Sequence, residues 1–402
     1  MPMFTGMHFI QSRVVKKTFV PDLPSSAFAD TKPHYDLLDG LRGVAALLVL
    51  WYHVYEGFAF AKGKPVIDGL NHGYLAVDFF FMLSGFVIGY AYDDRWGKSG
   101  FTLKNFFKRR LIRLHPVVVI GALIGVACFL IQGSVQWDGS HVAIDCVMWA
   151  MLFAMFMIPA APGANYEVRG NGEMFPLNGP AWSLFFEYIG NLLYALLLCR
   201  LSTKWLTVLV TLLGAGLVAF TSLDLSGAGC LSVGWSLVDG GFWGGLLRML
   251  FPFSTGLLLS RIFKPVKVRG AFWIISTVLL VLFAIPYIPN TLGSLSLNGV
   301  YEAFCIVVMF PALVWLGASG RTTDRASSRI CKFLGDISYP VYIVHYPAMY
   351  LFYAWLIDRQ LYTLEETWPV AVGVCVFNIL LAYLLLKVYD EPLRKWLSRK
   401  LL

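Results

Sequence analysis

In the apolar stretch 38–53, an arginine, Arg42, and a histidine, His53, stand eleven positions apart with no other charge between them. Eleven positions make about three turns at 3.6 residues per turn, so both side chains share one helix face, ~16 Å apart along the axis. An ionisable pair on an apolar helix is costly unless it faces a protein interior or a wet cavity. A neutral imidazole takes a proton from a hydroxyl near physiological pH, and a carboxylate partner fixes its tautomer and raises its basicity.

Two intramembrane carboxylates are candidates for that partner. Asp78 lies early in the second apolar segment and Glu187 early in the fourth, which places both in the same half of the bilayer as His53. The spacing leaves open which of them orients His53. It also leaves open that each polar group is satisfied separately by backbone or a tyrosine hydroxyl. A metal site would need further His or Cys at that level, and none stands there, so no metal is assigned.

Five positive charges, Lys104, Lys108, Arg109, Arg110 and Arg113, crowd residues 104–113. Arg110 and Arg113 share a helix face at i, i+3, and guanidinium forks suit phosphates. One reading is a topology signal beside anionic lipid; the other is a seat for a polyphosphorylated donor. Tyr339, Tyr342 and His345 recur every third residue beside Pro340 and Pro347, where the prolines loosen a helix that lines a cavity or simply kinks. Ser84 has no base to pair with, and no phosphate-cradling glycine loop or nucleophile-elbow motif is present.

The elements that hold these groups must be membrane helices. Of 402 residues, 58% are hydrophobic and only 14% charged, against about 25% charged in a soluble domain. The expected fold is all-α, a polytopic bundle with spans near 38–59, 72–92, 114–132, 181–200, 205–222, 241–261, 271–288, 300–319, 337–357 and 368–388. Lys and Arg then alternate by side: Arg13, Lys16, Lys17 and Lys32 before the first span, and the basic groups after spans two, four, six, eight and ten, against only Lys62, Lys64, Arg169 and Arg359 in the other loops. The positive-inside rule puts both termini in the cytoplasm.

Residues 141–160 are apolar enough to span, but a crossing there would invert every later basic cluster. They are expected to form a re-entrant or interfacial helix within a long outer segment, 133–180, with an eleventh span as the alternative. Seven cysteines without a Cys-x-x-Cys pair read as packing residues. No cleavable signal peptide is evident. The expected division is an N-terminal tail, 1–36, a membrane domain, 37–390, and a C-terminal tail, 391–402.

Taken together the motifs resemble the acyltransferase-3 family of membrane acyltransferases. Residues 38–53 look like its arginine-x10-histidine signature, 77–86 are similar to its second-helix motif, and 109–116 resemble its arginine motif. Residues 182–187, 337–345 and 391–394 resemble three later ones. The resemblance implies transfer of an acyl group, usually acetyl, from cytoplasmic acyl-CoA to a hydroxyl of a carbohydrate or other acceptor at the outer side, with His53 catalytic and Arg42 essential. Phe185, Phe186 and His115 depart from the common pattern. A chain ending at Leu402 implies a transferase without the fused outer domain of some members.

The expected mechanism docks the CoA phosphates at Arg109, Arg110, Arg113 and Arg42, with Tyr339 and His345 on the donor path. His53 deprotonates the acceptor, with Asp78 or Glu187 behind it; a route through an acyl-histidine is open too. The partners expected are acyl-CoA, a hydroxylated acceptor and the bilayer, with no nucleic acid. A transporter moving an acylated or phosphorylated solute along the same polar seam is the rival, and a subunit handing acyl groups to a separate transferase is a third reading.

Overall fold

The structure, a computed structural model, describes residues 35–63, 70–96, 101–238, 240–320 and 324–402. The expected tail 1–36, apart from its last two residues, and the topology charges Arg13, Lys16, Lys17, Lys32, Lys64, Lys98 and Arg321 fall outside those residues. The described chain is an all-α bundle whose strands are a two-residue hairpin pair, Thr291–Leu292 with Leu295–Ser296.

The helices run α1 (Asp36–Ala61), α2 (Ala76–Tyr92), α3 (Leu103–Ile131), α4 (Ile144–Met155), α5 (Ala181–Leu196), α6 (Thr203–Ser222), α7 (Gly241–Ile262), α8 (Ala271–Ala284), α9 (Leu297–Phe304), α10 (Phe310–Ser319), α11 (Arg325–Arg359), α12 (Leu364–Leu385) and α13 (Glu391–Leu401). A π turn joins α9 to α10 and another joins α12 to α13. Starts are capped by side chains: Thr102, Ser202, Ser296 and Asp324 accept from backbone N–H groups, and Thr363 with Glu366 forms a reciprocal capping box.

Each of the ten expected spans coincides with a helix. Eight of these helices are long and apolar enough to cross a membrane. The expected spans 271–288 and 337–357 fall outside that group: α8 has only 14 residues, and α11, at 35 residues, has the length but too polar a composition. Ser338, Tyr342, His345, Tyr350 and Tyr353 of its span are buried, and α11 packs chiefly against α1. Segment 141–160 contains α4, only 12 residues long. That is ~18 Å, short of the ~30 Å hydrocarbon core.

Two helix pairs set the frame, α1 on α11 and α2 on α7. Both are held close by glycine. A Cβ at Gly43 would lie 2.3 Å from the Leu334 carbonyl oxygen; at Gly85 and Gly256 it would lie 2.0 Å from the carbonyls of Phe253 and Met82 respectively. Small residues allow backbones to approach where lipid supplies no hydrophobic drive between helices.

Prolines inside α11 free backbone carbonyls, and the bundle claims them. Pro347 has no N–H to offer Ile343, whose carbonyl accepts the Asn178 side chain at 2.8 Å. Asn178 belongs to the long segment 133–180, which was expected at the outer side. Its last part instead plunges between helices: Phe175, Leu177 and Asn178 are buried. α5 therefore begins deep inside the bundle.

Candidate active site

Two cavities lie inside the bundle, one of about 510 Å³ and one of about 690 Å³. The smaller is lined by charges: Arg42, Arg110, Arg113, Glu187, Asp336 and Asp390 among them, with Tyr339. The larger is lined by His53, Glu56, Glu173, Arg248 and many aromatic rings, including Trp137, Trp182, Trp235, Tyr346, Tyr350 and Tyr353. Arg42 and His53, three turns apart on α1, thus open into different cavities.

His53 is held by a residue that sequence reasoning missed. Its Nδ1 lies 2.7 Å from Glu56 Oε2, one turn further along α1. Glu56 also accepts the hydroxyls of Tyr346 at 3.0 Å and Tyr353 at 2.9 Å. An ionised carboxylate only accepts, so Nδ1–H of His53 is the donor in this contact and Nε2 is the ring nitrogen left over. Among the described residues Nε2 has no hydrogen-bond partner. Tyr353 also donates to the His53 carbonyl at 2.8 Å, pinning the backbone behind the ring.

The two carboxylates expected to orient His53 are engaged elsewhere. Asp78 is fully buried and forms a two-pronged pair with Arg248 of α7, at 2.6 and 3.2 Å. Arg248 also donates to the carbonyls of Tyr74 and Val233 and lies over the Trp182 ring. This cluster bolts α2 to α7. Glu187 lines the arginine-bearing cavity, where it accepts from Arg110 at 2.8 Å and from Ser84 at 2.7 Å. Its depth differs from that of His53 because α5 starts mid-bundle. Ser84 is thus a hydroxyl donor to Glu187.

The basic stretch 104–113 is the first three turns of α3. Arg110 is buried and committed to Glu187 and Asn191. Arg113 lines the cavity, whereas Arg109 does not. Arg42 pairs with Asp39 and Arg394 with Asp390, and both arginines line the same cavity. Lys332, from the basic group between the spans near 300–319 and 337–357, lines it too. Tyr339 lines the cavity and donates to the Leu114 carbonyl at 2.7 Å.

His345, expected on the donor path, sits beside His53. Its ring centroid is 5.1 Å from that of His53. Nδ1 donates to the carbonyls of Val341 and Tyr342 at 3.0 Å each, and Nε2 is buried without a partner.

The long segment 133–180 walls the histidine-bearing cavity. Glu173 receives hydroxyl and amide donors from Tyr350 and Asn171. Burial nevertheless pushes its carboxyl up to about 7. Arg169, fully buried, lies 3.8 Å from the Tyr350 ring centre and faces Phe129 and Trp137 as well, a desolvated cation–π cluster that fixes the wall.

The acyltransferase domain model of the acyltransferase-3 family matches residues 35–387. "Protein 2 in picA locus" of Rhizobium radiobacter is 36% identical over 44% of this chain and 90% of its own length. The peptidoglycan O-acetyltransferase OatA of Listeria monocytogenes is 26% identical over 89% of this chain and 55% of its own length. The chain thus spans about half the length of that relative. No solved structure matches. With the arginine and the histidine of α1 each opening into its own cavity, and a family model covering nearly all of the chain, the protein belongs to the acyltransferase-3 family of integral membrane acyltransferases.

Proposed function

We propose that this protein is an O-acetyltransferase of the cytoplasmic membrane, moving an acetyl group from cytoplasmic acetyl-CoA to a hydroxyl of a cell-surface carbohydrate. The observation that carries the reading is α1 itself, which presents Arg42 to a charged cavity and the His53–Glu56 pair to an aromatic one. The cations of the first cavity suit the CoA phosphates, although carboxylates line it too, and the aromatic rings of the second suit a sugar. The name of the Listeria relative supports a polysaccharide acceptor. The positive-inside pattern supports cytoplasmic termini and a charged cavity on the cytoplasmic side.

The donor's phosphates rest on Arg113 and Lys332. These are the cavity cations without an ion pair among the described residues, since Arg42, Arg110 and Arg394 each have a carboxylate. The pantetheine arm runs along α1 toward His53. Nε2 of His53 takes the acceptor's hydroxyl proton as the oxygen attacks the thioester carbonyl. The C–O bond forms, the C–S bond breaks, and the departing thiolate receives the proton from the imidazolium. Glu56 balances that imidazolium. General-base help of this kind is worth ~10²–10⁴-fold.

The test uses purified full-length protein with acetyl-CoA and cell-wall or surface glycan fragments. CoA thiol release should match acceptor mass gain mole for mole, and His53→Ala should abolish both. A His53→Ala protein with full transfer would sink the proposal. The transporter reading predicts solute movement without thiol release.

A further inference from the structure

The two cavities share two lining residues, Val77 of α2 and Tyr342 of α11. We propose that these two side chains form a neck through which the thioester arm passes, so that Val77 and Tyr342 determine whether a donor bound at the charged cavity reaches His53. The inference rests on the proposed direction of transfer and goes beyond it by naming the constriction.

Both sides of the neck are braced. Val77 directly precedes Asp78, which the buried ion pair with Arg248 ties to α7. Tyr342 meets the Ser183 hydroxyl at 2.7 Å, and Ser183 donates to the Pro180 carbonyl at 2.9 Å, so the Tyr342 O–H is the donor in that contact. The tyrosine ring also lies edge-on to Phe80, 5.3 Å between centroids. Around the neck the lining changes hands: Phe80 and Ser183 face the charged cavity, and Pro180 and Trp182 the aromatic one. From Tyr342 the path to the base is short. Its ring is 6.1 Å from His345, and His345 is 5.1 Å from His53. A wall of one valine and one hydrogen-bonded tyrosine yields to a thin unbranched arm and closes when no arm is present.

The experiment compares wild type with Val77→Trp, Val77→Ala and the double variant Val77→Trp/Tyr342→Ala in full-length purified protein. Equilibrium binding of CoA is measured beside acetyl transfer. Val77→Trp should bind CoA within about threefold of wild type and lose transfer by ~10²-fold. Retained CoA binding also serves as the folding control. Val77→Ala should transfer near the wild-type rate, and the double variant should regain part of the activity because removing the ring reopens the space. A Val77→Trp protein that transfers at the wild-type rate, or that loses CoA binding in step with transfer, overturns the neck. A wild-type protein that acylates acceptor yet takes up no CoA overturns the donor reading instead; the neck is then judged by the ratio of Val77→Trp to Val77→Ala transfer with the donor in use.

Discussion

Glu56 holds His53 Nδ1 at 2.7 Å from one helical turn away, with the hydroxyls of Tyr346 and Tyr353 on the same carboxylate oxygen. The imidazole and the carboxylate on its Nδ1 are therefore carried by a single helix, and the tyrosines of α11 supply the clamp. Glu56→Gln keeps the shape and removes the charge that balances an imidazolium. Its kcat should fall by at least ~10²-fold while the KM for acetyl-CoA stays near wild type. An unchanged kcat would remove Glu56 from the mechanism.

Asp78 is the contrasting case. Its carboxylate is buried against Arg248, and removing one member of a buried pair costs about 3–5 kcal/mol because the other charge is stranded. Asp78→Asn should therefore lower the melting temperature of the purified protein markedly. The double change Asp78→Leu/Arg248→Met should recover much of the loss. If Asp78→Asn melts like wild type and only activity falls, Asp78 acts in the chemistry rather than in holding α2 to α7.

Arg113→Ala and Lys332→Ala should each raise the KM for acetyl-CoA roughly tenfold, the scale of one charge-assisted contact. Added salt should blunt the difference. Arg109→Ala, a cation outside the cavity lining, is expected to leave that KM nearly unchanged. Equal effects from all three would favour a diffuse lipid-facing role.

Glu173 gives a pH prediction from outside the membrane helices. Burial raises its carboxyl from 4.5 to about 7. In that interval the folded protein holds a proton that the unfolded chain has released, so stability falls as pH rises from about 4.5 to about 7. Glu173→Gln should flatten this slope and melt higher than wild type above the upper limit. Thermal unfolding across that range measures it; parallel curves for the two proteins would contradict the assignment.

Periodicity and composition make the membrane helices legible in the sequence. What they missed has physical reasons. The search for a partner to His53 looked for carboxylates at equal depth on other helices, although Glu56 stands three residues away on the same face. Arg248 lies inside the expected span 241–261, and an arginine in mid-span is itself a signal. Glu187 was misplaced because hydropathy assumes each helix starts at the interface, and α5 starts where 175–180 have already entered the bundle. Arg109 and Arg110 are neighbours in sequence, but a step of about 100° around the helix sends only the second into the cavity.

The approach of Gly43 to the Leu334 carbonyl, where an added Cβ would stand 2.3 Å away, bears on motion. Two helices in backbone contact have no compressible layer between them, so α1 cannot slide like a piston along α11. The interval from Arg42 to His53 lies within the one helix α1, so it is a fixed gauge set by the helical rise rather than by a conformational equilibrium. Whatever crosses from one end to the other must do so by its own reach. Enlarging Gly43 by a single methyl would act as a shim, tilting both ends of that gauge at once without touching either side chain.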